Sequence, residues 1–118
     1  MSLQEFTQAC FECAEWAESG EIDFSDHEWS RDFRAQLEAD CQSFWQSYGY
    51  LIERIDPDNE YSSAELAGHD FWLTRNGHGA GFWDRGGLWG THEDALVKGA
   101  ETYDELSLYL GDDGLIYA

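Results

Sequence analysis

The chain has 118 residues, of which 25 are Asp or Glu and 6 are Lys or Arg, giving a formal charge of −19 at pH 7. Phosphate binding runs on cationic side chains that displace counterions, so this balance argues against direct DNA or RNA binding and disfavours an anionic membrane surface, while no apolar run reaches the roughly 20 residues that span a bilayer. The length suits one domain, and a composition 42% hydrophobic and 16% aromatic holds enough apolar surface to fold despite the charge.

The opening Met-Ser-Leu-Gln-Glu-Phe has neither the basic region nor the apolar core of a secretory leader, so the expected location is the cytoplasm. Ser2 and Glu5 have capping-box spacing, and Phe6, Cys10, Cys13 and Ala17 recur at helical intervals, which predicts a helix over 3–18 stopped near Gly20. Three cysteines make a disulfide framework improbable. Cys10, Cys13 and Cys41 with His27 have the donor types of a zinc site. A lone Cys-x-x-Cys on an apolar helical stripe more often packs as a small hydrophobe, and no cofactor is expected.

A second capping-box pattern, Ser25 with Glu28, precedes Trp29, Phe33, Leu37, Cys41, Phe44 and Tyr48. This predicts a long amphipathic helix running toward Ile55 and ending before Asp56-Pro57, because proline disfavours helical backbone in the residue before it. The two helices are expected to pack on each other. Residues 1–60 hold 15 acids against Arg31, Arg34 and Arg54, a balance of −12, leaving −7 for residues 61–118. Glu5, Glu12 and Glu15 share one side of the first helix. Glu21, Asp23, Asp26, Glu28 and Asp32 crowd the loop and first turn of the second, where a helix dipole favours acids such as Asp26 and Glu28. A charge run is ordinarily a solvated face, but solubility needs a net charge of only about 2 to 8 in magnitude and self-repulsion costs stability beyond that.

Beyond the turn at 56–59, residues 62–67 have the pattern of a brief helical turn ended by Gly68. The aromatic runs 70–75 and 80–84 then flank Asn76-Gly77-His78-Gly79. That composition predicts a β-hairpin in which Trp72 faces Trp83 and Leu73 faces Phe82. Thr91 and Asp94 precede Leu96, Ala100 and Tyr103, a short helix, and residues 106–117 have the pattern of a second hairpin about Gly111-Asp112-Asp113-Gly114. The predicted fold class is α+β: one domain, with an acidic helical part (1–55) laid on a small antiparallel sheet of β-β-α-β-β order (60–118).

The run Gly-His-Asp-Phe-Trp-Leu-Thr-Arg-Asn-Gly-His-Gly-Ala-Gly-Phe-Trp-Asp-Arg, residues 68–85, together with the closing Gly-Asp-Asp-Gly-Leu-Ile-Tyr, resembles a motif of small bacteriophage-encoded proteins. The resemblance covers residues 60–118. It implies a phage or prophage origin and no particular reaction.

Within the motif, His69, Asp70, His78 and Asp84 are acid–base and metal-ligating types, and the glycines at 77, 79 and 81 would let a ligand approach the backbone. The bland alternative is turn chemistry, with Arg75 and Asp84 paired across strands and the tryptophans in the core. No Gly-Lys-Ser/Thr follows the glycines and no nucleophile elbow occurs, so the chain is not expected to be an enzyme. Carboxylates three or four positions apart on a helix lie roughly 5 to 6 Å apart, comparable to phosphate spacing. The expected function is therefore a phage-encoded inhibitor that mimics nucleic acid and occupies the Lys/Arg-rich site of a host defence complex, CRISPR–Cas or restriction. Its contact residues would be Glu5, Glu12, Glu15, Glu21, Asp23, Asp26, Glu28 and Asp32. The alternatives are a protein-interaction module using exposed Trp83, Trp89 and Tyr109, or a metal-dependent enzyme using His69, His78 and Asp84.

Overall fold

Helix α1 spans Ser2–Ala17 and buries Phe6, Cys10 and Cys13 along the expected stripe. The computed structural model describes residues 2–20, 22–58 and 60–118. Helix α2 spans Arg31–Glu53 and buries Phe33, Leu37, Cys41 and Phe44. Its cap is Ser30, whose hydroxyl accepts from the Phe33 amide at 3.2 Å, so the Ser25–Glu28 pattern starts no helix. Ser25 instead donates its amide and hydroxyl to Asp23, at 2.9 and 2.6 Å. Asp26 and Glu28 therefore lie ahead of the helix and gain nothing as first-turn residues. Of the five acids expected around the start of this helix, Asp32 is the one in its first turn.

The predicted α+β class is overturned between residues 63 and 84. Residues Ser63–Arg75 form one helix, α3, and the run Ala80-Gly81-Phe82-Trp83-Asp84 holds a single 3-10 turn at Phe82–Asp84. There is no hairpin here, and Trp72 does not face Trp83. The helix begins with a full capping box, Ser62 and Glu65 each bonding the other's amide at 3.1 and 3.0 Å. It runs through Gly68, where only glycine fits: an added Cβ would strike the Phe6 carbonyl and lie 2.9 Å from the Ala9 methyl. Gly68 thus sets the approach of α1, which packs more extensively on α3 than on α2.

Asn76-Gly77 ends this helix rather than turning a hairpin. Gly77 takes φ +64°, its amide donates to Thr74 O, and the His78 amide reaches back to Leu73 O. That pair of bonds is a Schellman closure, which calls for glycine at the left-handed position as an Asn-Gly hairpin turn does. After a second 3-10 turn, Gly90–His92, helix α4 covers Glu93–Glu101.

The tail makes the one sheet among the described residues, β1 (Tyr109–Leu110) antiparallel to β2 (Ile116–Tyr117). Ile116 also bridges to the chain before α2, accepting from the Ser30 amide and donating to Glu28 O, both at 2.8 Å. One core serves both halves of the chain: the Phe44 ring lies near Phe6, Phe71 and Phe82 at centroid distances of 5.8, 4.5 and 5.9 Å. No helix among the described residues is long and apolar enough to cross a membrane.

Candidate functional site

Several polar residues of the 68–85 motif are held by the fold. Asp70, 1% exposed, accepts from Arg85 Nε at 3.0 and 3.1 Å and from the Trp89 indole at 2.9 Å, with a second Arg85 nitrogen at 2.9 Å. Burial pushes the Asp70 carboxyl up, and the Arg85 and Trp89 hydrogen bonds oppose that rise. Arg75 pairs with Asp40 at 2.9 Å, donates twice to Asp104 O, and lies over the Phe71 and Tyr103 rings at 5.4 and 5.3 Å. Its expected partner, Asp84, is exposed. Asn76 bonds Trp72 O and accepts from the Leu106 amide, and Thr74 Oγ1 accepts from the Phe82 amide.

These engagements separate the three residues of the metal-enzyme alternative. His78 contacts Glu18, which also accepts from the Trp72 indole at 3.1 Å. His69 is half-buried beside Arg85, and both burial and that guanidinium lower its pKa. No group of three His, Cys, Asp or Glu among the described residues is placed to hold a metal. The cysteines are buried in the helical core. Burial drives the Cys13 thiol up to about 12, and burial, with Cys41 adding to it, raises Cys10. His27 lies instead against the Gly114 carbonyl at 2.8 Å.

What the fold leaves outside is negative. The Arg75–Asp40 and Arg85–Asp70 pairs each use one charge of either sign, so the remaining side chains carry the whole formal charge of −19. The expected contact residues divide into two groups. Glu12, Glu15 and Asp23 line one open groove of about 300 Å³ with Trp16, Ser19 and Ser25. Glu5 and Glu12 border the next hollow, about 230 Å³, where Glu65 joins them. Glu12 and Glu65 continue into a third, about 340 Å³, edged by His69 and Arg85. An acidic track therefore follows α1.

Glu28 and Asp32 lie apart from that track: Glu28 is tied to the tail hairpin through its carbonyl, and the Asp32 charge acts on Tyr117. Asp26 is exposed, and Glu21 lies outside the described residues. Another groove, about 670 Å³ and lined by Phe11, Trp29 and Arg34 among others, holds none of the eight expected acids.

Two members of the track were not foreseen. Glu65 was hidden because residues 62–67 looked like an isolated turn. Trp16, 71% exposed, lies off the Phe6–Cys10–Cys13 stripe, and that spacing was the available signal. Of the aromatic alternative, Trp83 and Tyr109 are exposed at 41% and 52%, whereas Trp89 is buried on Asp70. No protein-family model matches the chain, and neither a curated protein nor a solved structure matches it.

Proposed function

We propose that the protein is a phage-encoded inhibitor of a host nucleic-acid-binding defence complex, CRISPR–Cas or restriction, and that it acts by placing the α1 acidic track in a Lys/Arg-rich cleft that otherwise takes nucleic acid. The observation that carries this is the continuity of Glu5, Glu12, Glu15, Asp23 and Glu65 along adjoining hollows of one folded face. A rigid array of carboxylates offers a cationic groove the charge pattern of a backbone without its flexibility, and such encounters are steered by charge and weakened by salt. The resemblance of residues 60–118 to phage proteins supports the choice of a defence complex, whose nucleic acid sits in a basic channel.

The test is competition. Increasing protein should displace labelled DNA or RNA from a purified defence complex of the host at low salt, with displacement lost at high salt. A variant carrying Glu12→Lys, Glu15→Lys and Asp23→Lys should fail to compete. Inhibition by that variant equal to wild type would overturn the proposal. A second reading, an aromatic interface, rests on exposed Trp83 and Tyr109; it predicts binding that neither salt nor nucleic acid disturbs.

A further inference from the structure

Trp16 occupies the last turn of α1 with 71% of its surface exposed. It lies in the groove of about 300 Å³ that Glu12, Glu15 and Asp23 also line. A large aromatic ring left in water loses the gain that burial would give it, and here it stands among carboxylates.

Two features of the backbone add to the negative potential at that ring. The last turn of α1 holds no basic residue, so the negative end of its helix dipole is uncompensated. Asp23 is fixed by Ser25, whose amide and hydroxyl both bond Oδ1, leaving Oδ2 to accept from a ligand.

From this geometry we infer that the groove at the carboxyl end of α1 takes an arginine side chain of the partner protein, its guanidinium stacked on the Trp16 indole and its N–H groups shared among Glu12, Glu15 and Asp23. A flat π-face beside several carboxylates suits a planar, weakly hydrated cation with a fork of donors. Lysine, a compact and strongly hydrated point charge, gains the charge attraction but little of the stacking. The inference rests on the acidic-track proposal and adds to it a choice of residue: the track attracts cations of either kind, and Trp16 selects arginine.

Hexa-arginine and hexa-lysine peptides, titrated into the full chain at one low salt concentration, separate the two claims. Calorimetry gives the affinities, and the Trp16 indole N–H resonance reports the place. Both peptides should bind, hexa-arginine about two- to fivefold tighter, the range expected of a cation–π contact at an exposed site, and only hexa-arginine should shift the Trp16 resonance strongly. Trp16→Ala should abolish the preference by lowering hexa-arginine affinity to that of hexa-lysine, and Trp83→Ala, at the other exposed tryptophan, should preserve it. Equal affinities, or a preference that survives in Trp16→Ala, would overturn the arginine groove alone. Binding of neither peptide would overturn the acidic track and the groove together.

Discussion

Asp70 shows most sharply how a residue of catalytic type can be spent on structure. Its carboxylate gathers Arg85 and Trp89 midway along α3. Asp70→Ala leaves the buried Trp89 indole N–H without its acceptor while Arg85, 32% exposed, can turn to water, so it should cost about 1 to 3 kcal/mol in urea unfolding; a loss under about 0.5 kcal/mol would mean that the cluster contributes little. His69, next to it, has a pKa below 6.5 because of burial first and Arg85 second. The folded protein thus takes up this proton less readily than the unfolded chain. The stability His69 contributes is full above the ordinary histidine value and falls as pH drops through it toward the folded value. His69→Gln should therefore flatten the fall of stability as pH drops below neutrality. The buried thiols make a third case: with Cys13 pushed up to about 12 and Cys10 raised, neither should react with a thiol reagent at mildly alkaline pH until denaturant is added. The residue types at 69, 70 and 78 were visible in the sequence. Their engagement was not, because Glu18, Arg85 and Trp89 reach them only through the tertiary fold.

Helix α3 is where element and sequence pattern part. Helices α1 and α2 each bury one stripe, so their 3.6-residue period is plain. Helix α3 buries Leu66, Ala67, Asp70, Phe71, Trp72, Thr74 and Arg75, positions that go most of the way round, and a helix covered on nearly all sides loses its period. Aromatic content then suggests strand. Asn76-Gly77 reinforced the error, since a left-handed glycine serves a Schellman closure and a hairpin turn alike. The Ser62–Glu65 capping box was the one local sign of a helix start. Gly68 invited a stop there, though its role is to admit the backbone of α1. Gly68→Ala tests that role, because alanine favours an exposed helix over glycine by about 1 kcal/mol, whereas overpacking against the Phe6 carbonyl should destabilise by about 1 to 3 kcal/mol. A rise in melting temperature would show that α1 and α3 are not in close contact.

At the scale of the whole molecule, charge was legible and its placement only in part. The formal −19 follows from counting, and Glu5, Glu12 and Glu15 share a helix face as their spacing indicates. Asp23 joins them, while Glu28 and Asp32 go to the hairpin side, because α2 starts at Ser30 rather than at Ser25 and the tail hairpin bonds the chain ahead of it. Self-repulsion on this scale predicts that added salt raises the melting temperature of the free protein, since screening relieves it. The same salt should weaken binding to a cationic cleft, so stability and affinity move in opposite directions. The decisive quantity is the slope of log Kd against log salt for the complex with the defence protein whose nucleic acid is displaced, measured for wild type and for the Glu12→Lys, Glu15→Lys, Asp23→Lys variant. The acidic track predicts a steep loss of affinity with salt in wild type and a weaker, shallower dependence in the variant. A flat slope in wild type, with affinity retained by the variant, would contradict it.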